Sequence, residues 1–119
     1  EAIDMIRAAG GVAVLAHPFS WKTDERDLEA GVRGLKALGL NGIEAYYSEC
    51  DSGRTVALAR LALRLEILAT GGSDYHGLAK PDIAIGRGLG RLHVPDSCLP
   101  PLMEALGKDN PWVAGANMR

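Results

Sequence analysis

Three stretches of this chain read as β-strands, and each ends in residues able to hold a metal or a phosphate: Ala16-His17-Pro18, Glu44-Ala45-Tyr46-Tyr47 and Gly71-Gly72-Ser73-Asp74-Tyr75-His76. The strand ends fall near Ala16, Tyr46 and Gly72. One βα unit of a barrel takes roughly 30 residues when about 250 are shared among eight, so the spacing suits strands that run parallel with a helix between each pair. Barrel active sites sit at the C-terminal ends of such strands, where these polar residues stand.

The intervening segments carry the matching helical pattern. Ile3, Ile6 and Ala9 lie at helical spacing, and Gly10-Gly11 stops that helix before an apolar strand over Val12 to Ala16. Phe19 to Asp27 reads as a loop, with Thr23 or Asp24 able to cap the next helix. Leu28, Val32, Leu35 and Leu38 form one apolar stripe, and Gly39 suits the helix exit. Gly42 to Tyr47 is the second strand, with Ile43, Ala45 and Tyr47 on one face and Glu44 and Tyr46 on the other. Ser52 can cap the helix that runs to about Leu65, Ile67 to Thr70 is the third strand, and a glycine-rich connection over Gly77 to Gly90 leads to a last helix near Leu99 to Leu106. The expected fold is therefore α/β, three parallel strands with flanking helices joined by right-handed crossovers, in a single unit over 1–119. Three such strands do not close a barrel.

Composition bounds the function. Of the 119 residues 47% are hydrophobic and 24% charged, ordinary for a soluble domain. With aromatics at only 5%, Ala, Leu, Val and Ile must build the core. A net charge of -2 and a pI near 5.9 give no general electrostatic reason for stable nucleic-acid or membrane binding, so any phosphate recognition must be local. Cys50 and Cys98 have no zinc-ribbon spacing and form no disulfide framework, which suggests a reducing, cytoplasmic setting. No apolar run approaches the roughly 20 residues that cross a bilayer. The chain starts at Glu1 directly on a helical pattern, so it is expected to begin in mid-domain, as an excised piece or a processed product would.

Asp74 and His76, two residues apart past the third strand, offer a hard oxygen and an imidazole, a mixture that suits Mn, Zn or Fe in a hydrolytic site. An Asp-x-His can equally be a capped turn. His17 supplies a second imidazole from an independent strand at the same rim, and its position before Pro18 predicts an extended backbone that projects the ring from the strand terminus. Gly71 and Gly72 permit the close approach that a crowded metal pocket requires. Glu44 can be a ligand, an acceptor that orients a metal-bound histidine, or a paired interior carboxylate, and the orienting role is preferred. Tyr46, Tyr47 and Ser48 can line a substrate mouth or simply pack. Lys80, Arg87, Arg91 and His93 form one local run of positive potential, part of which can neutralise a phosphate near Asp74 and His76. Gly86-Arg87-Gly88-Leu89-Gly90 lacks the full dinucleotide pattern, and Ser73, Asp74 and His76 lie too close along one segment to make a triad.

These residues resemble the polymerase-and-histidinol-phosphatase (PHP) family of metal-dependent phosphoesterases. Gly10 to Pro18 is similar to the segment bearing that family's late histidine ligand, and Thr70-Gly71-Gly72-Ser73-Asp74-Tyr75-His76-Gly77 to its closing Asp-x-His motif. Gly42 to Tyr47, Lys80-Pro81 and Ile85-Gly86 are similar to a branch of small phosphoesterases acting on nucleotides with a 3′-phosphate. The resemblance implies the C-terminal part of a distorted seven-stranded β/α barrel with two or three divalent metals and His17, Asp74 and His76 as ligands; Glu44, Tyr47 and Lys80 are read from their positions as supporting them or the substrate. It implies hydrolysis of a small phosphorylated substrate by metal-activated water. The family's opening His-x-His motif has no counterpart among His17, His76 and His93, and relatives of the branch tend to carry, near the position of Cys50, a histidine able to contact substrate. The chain alone is thus expected to be weakly active or inactive and prone to self-association through open sheet edges. A non-catalytic metal-binding or interaction module that keeps this part of the barrel is the competing expectation.

Overall fold

The computed structural model describes residues 1–107; the last part of the expected single unit lies outside the described residues. The chain runs through α1 (Ala2–Ala8), β1 (Val14–Leu15), α2 (Glu25–Ala37), β2 (Gly42–Tyr47), α3 (Ser52–Arg64), β3 (Leu68–Gly72) and α4 (Leu99–Leu106). The strands form one parallel sheet in the order β1-β2-β3. Among the described residues there are three strands, and no closed barrel.

The apolar stripes read from the sequence meet in one core. Leu28 and Val32 of α2, Ile43, Ala45 and Tyr47 of β2, and Leu58, Leu61 and Ala62 of α3 are all buried. Removing such side chains from water contributes roughly 1.5–3 kcal/mol for each large one, which fixes both helices to the same face of the sheet. Arg64 of α3 adds an ion pair to Glu29 of α2 at 2.6 Å.

Four local expectations change. β1 is shorter than Val12 to Ala16, because its start is tied to a side chain: Ala13 donates its N–H to Asn41 Oδ1 at 2.9 Å, while its carbonyl accepts from the N–H groups of Asn41 and Gly42. Pro18–Trp21 is a 3₁₀ turn rather than loop. Asp24 caps α2 as expected, accepting from Arg26 N and Asp27 N, but Asp51 rather than Ser52 caps α3, accepting from Arg54 N. Finally, β3 extends through both glycines. The ladder steps from Glu44↔Thr70 to Tyr46↔Gly71 and Tyr47↔Gly72, leaving Ala45 as the extra residue of a bulge. Gly71 is needed there for strand packing, since a Cβ would lie 2.5 Å from the Tyr46 carbonyl oxygen and 2.7 Å from Val94 Cγ2.

Candidate functional site

Because the strands are parallel, their C-terminal ends share one rim. His17 follows β1, Ser48 and Glu49 follow β2, and Ser73 to His76 follow β3. Ser48 ties two of these ends together, its hydroxyl donating to the Ser73 carbonyl at 2.7 Å.

His17 is not extended. Its φ of 33° and ψ of 63° place it in the left-handed region, a costly conformation for a residue with a Cβ. Avoidance of the right-handed helical region before proline does not by itself select an extended strand, and here both backbone groups of His17 are engaged elsewhere. Its N–H donates to Glu44 Oε2 at 2.9 Å, and its carbonyl accepts from Ser20 N at 2.9 Å to start the 3₁₀ turn. Glu44 thus holds the histidine through the backbone, where the sequence suggested a contact to the ring. The imidazole Nδ1 lies 3.5 Å from Ser20 Oγ.

Asp74 is also left-handed, with φ of 56°. Its carboxylate pairs with the Lys80 ammonium, which lowers its pKa; a push in the other direction comes from burial, and His76 and His17 reinforce the lowering. His76 Nδ1 lies 2.8 Å from the Asp74 carbonyl and 3.3 Å from Asp74 Oδ1. A carbonyl only accepts, so Nδ1 is the donor in that bond and Nε2 is the ring nitrogen left to face another partner.

A cavity of about 400 Å³ opens between the strand ends, and His17, Asp74 and Lys80 line it together with Ser20, Glu49 and Arg54. Glu49 and Arg54 were not singled out in the sequence. Glu49 could have been found by extending the strand-end criterion two residues past Tyr47, and Lys80 lies 3.9 Å from it. Arg54 lacked any signal, since it enters only because the first turn of α3 faces the rim, where its guanidinium sits 5.1 Å over the Phe19 ring. His76 is exposed beside this cavity, and no three His, Cys, Asp or Glu side chains among the described residues converge closely enough to hold an ion.

Tyr47 forms the wall between this cavity and a second of about 550 Å³, lined by Tyr46, Cys50, Leu89, Arg91, Leu92 and His93. Burial, reinforced by the Cys50 thiol, pushes the Tyr47 phenol up to about 12. The positive run is therefore divided, with Lys80 on one side of Tyr47, Arg91 and His93 on the other, and Arg87 exposed.

Comparison with known proteins bears on the fold and on the kind of protein this chain is similar to. The chain resembles phosphoesterases. It is 39% identical over 77 residues to the phosphoribosyl 1,2-cyclic phosphate 1,2-diphosphodiesterase of Eggerthella lenta, a match covering 65% of this chain and 28% of that protein. Over 79 residues it is 34% identical to the 5'-3' exoribonuclease of Haemophilus influenzae, covering 63% and 27% respectively. A crystal structure from Bifidobacterium adolescentis, described as a "putative metal-dependent phosphoesterase", shares the fold with a TM-score of 0.66 and 27% identity, over 87% of this chain and 35% of that one. No family model matches. The matches span less than a third of the curated relatives' length. No helix among the described residues is long and apolar enough to cross a membrane.

The donor chemistry at the rim fits a divalent cation in part. Two imidazoles and a carboxylate, one ring anchored through Nδ1, are ligands of the right kind. Within the described residues they make up a portion of a binding site, not a closed coordination sphere.

Proposed function

We propose that this chain contributes part of the active site of a metal-dependent phosphoesterase. In this reading His17, Asp74 and His76 help to hold two or three divalent ions of the Mn, Zn or Fe type, and the substrate is a small phosphate monoester, nucleotides with a 3′-phosphate among them. One observation carries the reading: His17 and Asp74, delivered by different strands, open into a single cavity with Lys80 and Arg54.

The cations supply Lewis acidity toward the phosphoryl group. The chain's own residues do the rest. Lys80 and Arg54 offer charge-assisted donors to phosphoryl oxygens, and Lys80 can do so without leaving Asp74 because an ammonium carries three donors. Asp74, its pKa lowered by Lys80, stays ionised at neutral pH and acts as a ligand rather than as an acid. His76 presents Nε2 while its Nδ1–H is held by the Asp74 carbonyl. Tyr47, its phenol pushed up to about 12 by burial and so neutral at ordinary pH, separates the phosphate side from the cavity that would take the alcohol portion of the ester.

The test is phosphate release by the full-length protein, with and without chelator and with metal restored, alongside Asp74→Asn. Chelation should abolish turnover, and the substitution should lower kcat by at least roughly 100-fold at saturating metal, with a smaller change in KM. Activity that survives both would sink the proposal. Metal uptake without phosphate release would instead favour a non-catalytic metal-binding module.

A further inference from the structure

The left-handed conformation of His17 needs a cause, and its surroundings provide one. β1 pairs with β2 only through Val14↔Gly42 and Leu15↔Ile43. Beyond that point the His17 N–H meets the Glu44 carboxylate, which reaches it from within β2 at 2.9 Å. The bond is charge-assisted on the acceptor side and partly sheltered from water, so it is stronger than an exposed neutral one. The other carboxylate oxygen rests against Gly72, where a Cβ would stand 3.3 Å from it. Glu44 is therefore confined between two strand ends of the rim.

We infer that Glu44 is a positioning residue: by binding the backbone N–H of His17 it holds that residue in its left-handed turn and so aims the imidazole into the cavity shared with Asp74. It acts on the backbone, which distinguishes it from a ligand and from a carboxylate that orients a ring nitrogen. The inference deepens the proposed function, since the cation site is where the aim matters, but the backbone bond stands independently of that reading.

Two measurements on wild type, Glu44→Ala and Glu44→Gln test it: hydrogen exchange of the His17 amide by NMR, and affinity for Zn²⁺ alone by calorimetry. The alanine variant should speed exchange at His17 by on the order of 10-fold or more while core amides such as Ile43 and Leu58 hold their protection. It should weaken Zn²⁺ binding by about 10-fold or more. The glutamine variant keeps an acceptor oxygen and should stay near wild type in both. Unchanged His17 exchange in Glu44→Ala would overturn the inference. So would a glutamine variant that loses Zn²⁺ as the alanine variant does with the His17 amide still protected, for then Glu44 would be a ligand. If the wild type takes up no Zn²⁺ yet His17 exchange follows Glu44 as described, the positioning role is upheld and the metal reading fails.

Discussion

Gly71→Ala tests how the rim is assembled. A Cβ there would sit 2.5 Å from the Tyr46 carbonyl oxygen, 2.7 Å from Tyr46 Cβ and 2.7 Å from Val94 Cγ2, against an ordinary carbon contact of about 3.5–4.0 Å. Two of these atoms belong to β2 at the bulge, paired with Gly71 itself, so relief requires the strands to separate. Overpacking of this kind costs up to about 3 kcal/mol. The lower backbone entropy of alanine in the unfolded chain offsets roughly 0.4–1 kcal/mol. A net loss of about 2 kcal/mol remains, nearly 30-fold in the folding equilibrium and roughly 8 °C in Tm at this chain length. Gly72→Ala is the control, because its added Cβ meets only the end of the Glu44 side chain, at 3.3 Å. It should cost under about 1 kcal/mol yet disturb the Glu44 carboxylate and with it His17. Urea unfolding of both variants decides the matter. A Gly71→Ala stability within about 0.5 kcal/mol of wild type, or a larger loss for Gly72→Ala, would refute the packing argument.

Two further outcomes are expected. The Tyr47 phenol, raised to about 12 by burial first and by Cys50 second, ionises in the unfolded chain near its ordinary pH of 10 while staying protonated in the fold. The unfolded state then binds fewer protons, so stability should be intact below pH 10 and fall as pH rises from 10 toward 12. Unfolding of wild type and Tyr47→Phe across that range should show a steeper decline in wild type, and parallel curves would contradict the assignment. Because β1 and β3 each pair on one side only among the described strands, the 119-residue chain should self-associate. Sedimentation should find a mass that grows with concentration, and a monodisperse, fully active monomer would count against both the edge argument and the partial-site reading.

Periodicity made the alternation of helices and strands legible, because burial of an apolar face imposes a period of 3.6 or 2 on the sequence wherever one side meets the core. Leu28, Val32, Ile43, Ala45 and Tyr47 could be placed in that core from neighbours along the chain alone. The strand ends were legible for the same reason, and with them His17 and Asp74 as residues of one rim. Boundaries set by side-chain hydrogen bonds were not. Asn41 shortens β1, Asp51 rather than Ser52 caps α3, and the bulge at Ala45 draws Gly71 and Gly72 into β3, since each depends on which polar group reaches an amide first.

What only the tertiary structure decided concerns pairs far apart in sequence. Glu44 and His17 are 27 residues apart and meet because β1 and β2 lie in register. Arg54 enters the cavity because packing of Leu58 and Leu61 against the sheet turns the first turn of α3 toward the rim, and Tyr47 divides the positive run because its ring is buried between two cavities. The backbone of His17 departs from extension in part for the same reason. A local steric rule disfavours one region of φ and ψ, whereas the region adopted here goes with one local hydrogen bond, from Ser20, and one to a residue far along the chain, Glu44.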